Sequence, residues 1–505
     1  MTARVLSATT VGFEGKLIEV ECDANNGLPG FQIVGLGNKA IDEARERVKS
    51  AITNSYLDFP AKRKLIINLA PANLPKDGVH FDLPIALSIL YISGQLRPKT
   101  LEGILFAGEL SLSGEVRPVR GVIHIAETAR EHGFRTIVVP TQNAAQAALV
   151  KDIEILPVHT LSEVYLHLLG EKRLTPYRVE ESTTNHLASS VDISDIQGQA
   201  QAKRALIIAA AGNHNILFDG PPGAGKTMLA RALTSVLPPL TYREQIEITK
   251  LLSLSGEDVD KIATERPFRS PHHTASHVAL IGGGARPLPG EVSLAHNGVL
   301  FLDELPEYPR LSLESLRQPL EDREVHVARS AGRVTYPANF MLVATKNPCP
   351  CGYYGDPTRE CSCTQQVLLQ YQKRVSGPLL DRIDMVIPVT RVNEKDLLST
   401  ERSEPQSPGI RDQVTRTRQR QYARYGAEIH NAELGSKQIA AKTRLSNAAK
   451  ELLTSAAERM QLSARGYFKV IKVARTIADL EESNEILAPH IAEALQYRLT
   501  PALTR

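Results

Sequence analysis

Short apolar runs alternate with amphipathic segments over the first third of the chain. The runs LIEVECDA, FQIVGL, KLIINLA, ILFAGEL and TIVVP are typical of strands, and residues 39–54, 83–94 and 121–132 have helical periodicity. Alternation between these two periods is typical of mixed α/β structure. The pattern therefore predicts an α/β domain over residues 1–170.

Polar stretches divide the rest of the chain. Residues 171–192 (EKRLTPYRVEESTTNHLASSVD) are polar and unpatterned, which indicates a linker. A second α/β segment follows over residues 193–392, and RSEPQSPG at 402–409 forms another break. Residues 410–505 have helical periodicity throughout. The predicted fold class is α/β multidomain, with a C-terminal helical domain.

Composition limits the classes of protein that this chain can be. Its 505 residues are 42% hydrophobic and 23% charged, which is ordinary for a soluble globular protein of about three domains. No run approaches the ~20 apolar residues of a membrane span, and the N-terminus lacks a signal pattern. We therefore expect a cytoplasmic protein with no membrane partner. The net charge of +3 does not indicate nucleic-acid binding, so such contacts would require local basic patches.

The strongest chemical signal is GPPGAGKT at 220–227. It matches the phosphate-loop pattern GxxxxGK[ST], follows an apolar strand at 215–218 and opens a helix at 228–237. Glycines let backbone N–H groups surround phosphate oxygens, and the helix N-terminus adds positive potential. We expect Lys226 to reach the β- and γ-phosphates of ATP and Thr227 to hold Mg²⁺. The predicted nucleotide-binding residues are Gly220, Pro221, Pro222, Gly223, Ala224, Gly225, Lys226, Thr227 and Met228.

Further polar residues follow the later strands in the order that a nucleotide hydrolase needs. The apolar strand GVLFL ends in Asp303, expected to support Mg²⁺, and Glu304, expected to orient or deprotonate the attacking water. A strand at 339–345 leads to Asn347, whose amide is placed to hold that water. Arg382 lies in GPLLDRID, where an arginine can reach the γ-phosphate of a neighbouring subunit.

These parts, in this order, resemble the AAA+ ATPases, within the branch that contains magnesium chelatases and MCM helicases. The resemblance implies a parallel sheet with flanking helices and ATP bound between subunits. It places Ile196 and Gly198, in DISDIQGQAQAKRAL, near the base. By the same resemblance Asn347 is the sensor-1 residue and Arg382 the trans-acting arginine finger.

Two arginines of the helical tail compete for one further role. The resemblance makes Arg465 the sensor-2 arginine, with Arg475 as the alternative. One residue departs from the family pattern, because Asp219 stands before the phosphate loop where an apolar residue is preferred. We expect it to weaken strand packing slightly.

Longer strings narrow the resemblance. RPFRSPHH, LIGGG, SLAHNGVLFLDELPE, NPCPCGYYGDPTREC, SGPLLDRID and ARTIADL together resemble the YifB/ComM family of magnesium-chelatase-like proteins over essentially the whole chain. That family implies a homo-hexameric helicase that acts on single-stranded and branched DNA, driving branch migration beside the recombinase machinery during natural transformation. The alternatives are a metal-insertion motor of the chelatase type and a scaffold that binds nucleotide without hydrolysing it.

The N-terminal domain resembles the proteolytic domain of Lon protease, a ribosomal-S5-like fold, in its segments PKDG and AGELSLSG. Alignment on these segments puts His80 where the catalytic serine should be and Ile123 where the lysine should be. Because isoleucine cannot act as a base, we expect no protease activity. The alternative is a new site formed by His80 and Asp82.

Four of the five cysteines lie within fifteen residues. They form the pattern CPC, nine residues, then CSC, and their thiolates could close a tetrahedral Zn²⁺ site over 349–363. Free thiols and disulfides are the alternatives. The predicted metal ligands are Cys349, Cys351, Cys361 and Cys363.

Two segments are candidates for DNA contact. EVHVARSAGRVTY at 324–336 predicts a hairpin just before the sensor-1 strand, with Arg329 and Arg333 flanking its tip as phosphate ligands. The loop RPFRSPHHTAS offers Arg269, His272 and His273. For the basic segment at 411–425 we expect a solvated face, with DNA contact as the alternative.

Overall fold

The computed structural model describes residues 2–35, 39–74, 76, 79–178, 191–255, 262–284, 288–329, 332–356, 359–391 and 404–498. Most of the predicted linker, residues 179–190, lies outside these ranges. The side chains of Arg329 and Arg333 also lie outside the description, although their backbone is included.

A seven-stranded mixed sheet organises the N-terminal part, in the order β3-β4-β2-β1-β5-β8-β9. Strands β1 and β2 pair antiparallel from Ala3↔Cys22 to Val11↔Glu14, and β5, β8 and β9 are parallel. The strands are β1 (Ala3–Val11), β2 (Glu14–Asn25), β3 (Gly30–Val34), β4 (Lys64–Ala70), β5 (Ile104–Phe106), β6 (Glu109–Leu110), β7 (Val116–Arg117), β8 (Thr136–Pro140) and β9 (Glu154–Val158). The helices are α1 (Lys39–Asn54), α2 (Asp82–Ile92), α3 (Val122–Glu131), α4 (Ala144–Ala147) and α5 (Leu161–Leu169).

A five-stranded parallel sheet organises the middle part, in the order β11-β14-β17-β10-β18. Its strands are β10 (Ile216–Asp219), β11 (Phe268–Arg269), β14 (Val299–Leu302), β17 (Met341–Lys346) and β18 (Met385–Pro388). Two hairpins stand beside it: β12 (Gly282–Gly283) with β13 (Leu288–Pro289), and β15 (Glu324–Arg329) with β16 (Gly332–Pro337). The helices are α6 (Ala200–Gly212), α7 (Lys226–Val236), α8 (Tyr242–Ser255), α9 (His277–Ile281), α10 (Glu291–Leu294), α11 (Arg310–Ser315), α12 (Arg317–Asp322), α13 (Gln365–Gln372) and α14 (Gly377–Leu380).

The C-terminal part is helical, as its periodicity predicts. Its helix Ala464–Leu480 is buried throughout its second half and shares a core with α6 and α7, so this part packs on the parallel sheet's helices. The helices are α15 (Ser407–Tyr425), α16 (Ser436–Lys442), α17 (Asn447–Arg459), α18 (Ala464–Leu480) and α19 (Ala488–Gln496). Among the described helices, none combines the length and apolar character needed to cross a bilayer.

The parallel arrangement of the central sheet positions the functional residues. Its strands are almost completely buried on both faces, which is why their sequences are continuous apolar runs. Parallel strands all end at the same edge of the sheet, and in such sheets ligands bind outside that carboxyl edge. The predicted nucleotide segments therefore meet there, although they are far apart in the chain.

Candidate nucleotide site

The phosphate loop leaves β10 and enters α7, as the sequence predicts. At Gly220 a Cβ would lie 2.1 Å from the carbonyl oxygen of Val389, so only glycine fits beside β18. Gly223 and Gly225 have φ values of +77° and +83°, which favour glycine. The loop is thus shaped by its own glycines to present backbone N–H groups at the start of a helix.

The Lys226 ammonium group is held inside the loop. It donates to the carbonyl oxygens of Gly220 (2.6 Å) and Pro221 (2.9 Å) and to Oδ1 of Asn347 (3.0 Å). Burial lowers the pKa of Lys226, and the nearby carboxylate of Asp303 opposes that shift. The predicted phosphate-binding lysine and the predicted sensor amide are therefore in direct contact.

The acidic pair after β14 faces the first turn of α7. The hydroxyl of Thr227 donates to Oδ2 of Asp303 at 3.2 Å, so the two predicted Mg²⁺ ligands are in direct contact. The hydroxyl of Thr345 donates to Oδ1 of Asp303 (2.5 Å) and accepts from the backbone N–H of Glu304 (2.9 Å). Thr345 therefore fixes the directions of both acidic residues.

Glu304 adopts an unusual backbone conformation. Its φ of +52° lies in the left-handed region, which is costly for a residue with a Cβ. Such strain persists only where neighbours enforce it, and it is frequent at catalytic positions. The side chain is exposed beside the loop, where it can reach a water molecule.

The exceptional Asp219 has a partner on the adjacent strand. Its Oδ2 lies 2.9 Å from Nζ of Lys346, which pairs with it in the parallel register of β10 and β17. Both side chains are largely buried. The ion pair ties the start of the phosphate loop to the residue that precedes Asn347.

The residues predicted to lie near the base of the nucleotide differ in their burial. Ile196 is buried, and Gly198 has a φ of +62°, at the turn that leads into α6. Met228 is exposed on the first turn of α7, next to the phosphate loop.

Arg382 and Arg465 converge on Glu321 at the other edge of the sheet. Arg382 donates to Glu321 and to the carbonyl oxygens of Arg317 (2.9 Å) and Pro378 (2.8 Å). Arg465 Nη2 lies 3.3 Å from Glu321 Oε1 and is more than half exposed. The two arginines therefore share one carboxylate.

That edge is remote from the phosphate loop of the same chain. Asn215, which precedes β10, donates to the carbonyl oxygen of Arg382 at 3.1 Å, whereas Gly220 follows the last residue of β10. With a rise of ~3.3 Å per residue, the two edges lie roughly 15 Å apart. Arg382, Arg465 and Glu321 line a cleft of about 690 Å³ at this edge.

Arg475, the alternative to Arg465, is buried within the C-terminal helices. Its guanidinium group lies 3.0 Å from Asp479 and donates to the carbonyl oxygen of Asn484 at 2.9 Å. Only 1% of its side chain is exposed, so it is not available to nucleotide in this arrangement. Of the two candidates, Arg465 alone has an accessible guanidinium group.

The four clustered cysteines meet beside the phosphate loop. The Sγ atom of Cys349 lies 3.3 Å from that of Cys351 and 3.7 Å from that of Cys361, and all four lie within 4.8 Å of one another. A tetrahedral ion with ~2.3 Å bonds to sulfur needs thiols about 3.8 Å apart, so the set fits a metal ion. A Cβ on Gly352 would lie 2.5 Å from Cδ of Pro222, which puts this cysteine loop directly against the phosphate loop.

Profiles of the magnesium-chelatase subunit match three parts of the chain. "Magnesium chelatase, subunit ChlI" matches residues 192–397, and "Subunit ChlI of Mg-chelatase" matches residues 20–143. "Magnesium chelatase, subunit ChlI C-terminal" matches residues 404–498.

Several proteins are similar to this chain over almost its whole length. The competence protein ComM of Haemophilus influenzae is 44% identical over 500 residues, covering 98% of this chain and 97% of that protein. The chain belongs to the magnesium-chelatase-like ComM/YifB family. Its relative YifB of Escherichia coli is 42% identical over 98% of this chain and 96% of that protein. The magnesium-chelatase 67 kDa subunit of Chlorobaculum parvum is 26% identical over only 40% of this chain and 27% of that subunit. The predicted family and its α/β fold class are confirmed.

The residues of this ComM/YifB family member that are predicted to contact DNA differ in their side-chain partners and exposure. Arg269 pairs with Glu291 through two contacts of 2.7 and 2.8 Å. The rings of His272 and His273 are tilted by 35° with centroids 4.1 Å apart, and His272 is exposed. The hairpin forms as predicted, with Arg329 opposite Gly332 in its register.

His80 and Asp82, the alternative site of the N-terminal part, are both buried. Burial lowers the pKa of His80 to about 4. Asp82 accepts from Nε of Arg47 (2.8 Å) and from the backbone N–H of Leu110 (3.2 Å), and burial raises its pKa to about 6. Asp82 therefore joins α1 and β6 to the start of α2 through hydrogen bonds.

Three positions in the candidate site were not anticipated. Thr345 supports both acids, Lys346 pairs with Asp219, and Glu321 collects the two arginines. A hydroxyl and an amine at the end of a buried strand are unusual, and that signal could have marked Thr345 and Lys346. Glu321 has no such signal, because it is one of two adjacent exposed acids at the end of α12.

Proposed function

We propose that this protein is an ATP-dependent DNA translocase that works in the cytoplasm as a homo-hexameric ring and promotes branch migration during recombination of incoming DNA. The proposal rests on the division of the nucleotide site between two edges of one sheet. The chain carries a phosphate loop, acids and a sensor amide at one edge, and two arginines at the other. A ring in which each carboxyl edge faces the neighbour's arginines completes every site.

ATP hydrolysis follows from the residues at the carboxyl edge. The backbone N–H groups of the loop and the Lys226 ammonium group hold the phosphates. Thr227 and Asp303 would hold Mg²⁺, which neutralises charge on the phosphate oxygens. Glu304 takes a proton from the attacking water, and Asn347 orients that water. Arg382 of the next subunit stabilises the charge of the transition state.

DNA as the substrate is supported by the relative named for competence and by the hairpin at 324–337. The hairpin buries Val325, Val327, Val334 and Tyr336 on one face, and its tip carries two arginines. Arginine side chains on such a tip suit contact with backbone phosphates. Hairpins from successive subunits would line the axis of the ring.

The test is ATP-dependent separation of a labelled strand from forked or three-stranded DNA. We expect the parent protein to separate strands and Lys226→Ala to be inactive. The Arg329→Ala/Arg333→Ala variant should lose strand separation and bind DNA with a salt dependence reduced by about 2 in slope. The matched control, Arg416→Ala/Arg420→Ala, alters two arginines of α15 and should keep full activity.

Failure of the parent on every branched DNA, with ATP hydrolysis intact, would rule out the translocase. A chelatase-type motor, the alternative, predicts ATPase stimulation by a porphyrin and not by DNA. The match to the Chlorobaculum parvum subunit covers only 40% of this chain, which supports that alternative less than the full-length relatives support the translocase.

A structural Zn²⁺ at the cysteine cluster is part of the proposal. We expect one zinc per chain in the purified protein and none in Cys361→Ser. The loss should lower Tm by roughly 2–4 °C for each kcal/mol of stabilisation removed. Cys22→Ala changes the remaining cysteine, buried in the N-terminal part, and should retain the zinc. Zinc content measured by atomic absorption decides, and equal zinc in both variants would contradict the assignment.

A further inference from the structure

The turn between β1 and β2 lies directly against the β15–β16 hairpin. At Gly12, where φ is +63°, a Cβ would lie 2.3 Å from Cγ1 of Val334. Val334 is buried on the inner face of the hairpin. The contact is therefore so close that only glycine fits in the turn.

Phe13, the next residue, joins three elements. It packs against the apolar cluster that includes Val325, Val327 and Val334 of the hairpin. Its ring meets the edge of His124 on α3 with centroids 5.6 Å apart, and Nζ of Lys250 on α8 lies 4.2 Å from its centroid. The turn is thus wedged between the hairpin, α3 and α8.

Polar contacts between α8 and the N-terminal part stabilise the same interface. Nζ of Lys250 lies 2.7 Å from Oε2 of Glu127, and both side chains are largely buried. The backbone N–H of Gly121 donates to Oγ of Ser253 at 2.8 Å. Directional contacts of this kind fix one geometry, which scattered apolar contact alone does not.

A short route connects this interface to the nucleotide site. The hairpin ends at Pro337, β17 begins at Met341, and the strand ends at Lys346 beside Asn347. Asn347 accepts from the ammonium group of Lys226. The hairpin is therefore connected through a single strand, β17, to the sensor amide.

We infer that the N-terminal part positions the DNA-contacting hairpin, and that Gly12 and Phe13 are the positioning residues that couple DNA contact to ATP hydrolysis. This inference rests on the proposed function for its DNA readout. Neither residue lies at the nucleotide site, so basal hydrolysis does not depend on them.

The test compares two glycines with the same backbone requirement. Gly12→Ala drives a methyl group into Val334, whereas Gly133→Ala, at a φ of +76°, meets nothing within 4 Å. We expect both variants to keep basal ATPase within twofold of the parent. Only Gly12→Ala should lose DNA stimulation and increase hydrogen exchange of residues 324–337 by tenfold or more. Val334→Ala added to Gly12→Ala removes the colliding methyl groups and should restore both.

Phe13→Ala provides a second variant that removes the wedge without a collision, and it should produce the same uncoupling. The inference is overturned if Gly12→Ala and Phe13→Ala match Gly133→Ala in hairpin exchange. A parent whose ATPase ignores DNA would instead contradict the proposed function, and hairpin exchange would still decide the inference.

Discussion

Replacing Arg382 with alanine is expected to lower kcat for ATP hydrolysis by about 10³-fold or more, the usual effect of removing an arginine finger. The structure places this side chain about one strand length from its own phosphate loop, held by Glu321 and two carbonyl oxygens. Its action in the transition state would leave KM nearly unchanged. Steady-state ATPase kinetics of the purified protein measure both values.

Mixing two inactive variants separates a trans role from loss of folding. Lys226→Ala keeps Arg382 but lacks the phosphate-binding lysine, and Arg382→Ala has the opposite defect. Random co-assembly at equal amounts leaves about a quarter of the interfaces with both groups intact. We expect ATPase to recover to that order. Rings that contain both variants and remain inactive would exclude a contribution of Arg382 to the neighbouring site.

Glu304→Gln is expected to reduce kcat about 10²- to 10⁴-fold while ATP binding persists, because an amide cannot accept the proton of the attacking water. The shape of the residue is retained, and its backbone N–H still donates to Thr345. Single-turnover hydrolysis together with equilibrium nucleotide binding would measure the two effects separately.

Glu307→Gln is the matched control for this prediction. Glu307 follows in the same segment, but its carboxylate pairs with Arg374 at 2.7 Å on the surface. We expect near-parental hydrolysis from it. Hydrolysis by Glu304→Gln at the parental rate would contradict the prediction and assign the base to another group.

The family, the fold class and the parts of the candidate nucleotide site were predictable from the sequence. GPPGAGKT is contiguous, and its glycines, flanking strand and helix determine its shape locally. The spacing of the four cysteines likewise predicted thiols close enough to share an ion. The hairpin at 324–337 followed from alternating apolar residues around a turn.

Contacts between distant segments were not predictable in the same way. The sequence predicts that Asp219 weakens its strand, because nothing in the sequence indicates that β10 lies beside β17 with Lys346 in register. The choice between Arg465 and Arg475 also depended on packing. Both lie on α18, but Arg475 is buried and forms an ion pair with Asp479.

The sequence by itself determined the local motifs of this protein, which are the phosphate loop, the acids at the strand end and the cysteine pairs. Their geometry depends on neighbouring residues, whose backbone preferences act over a few bonds. Only the tertiary structure decided that Arg382 lies at the opposite edge of the sheet from its own phosphate loop and that Gly12 meets Val334. Those relations depend on how strands order in a sheet and how its surfaces pack, which is a property of the whole chain.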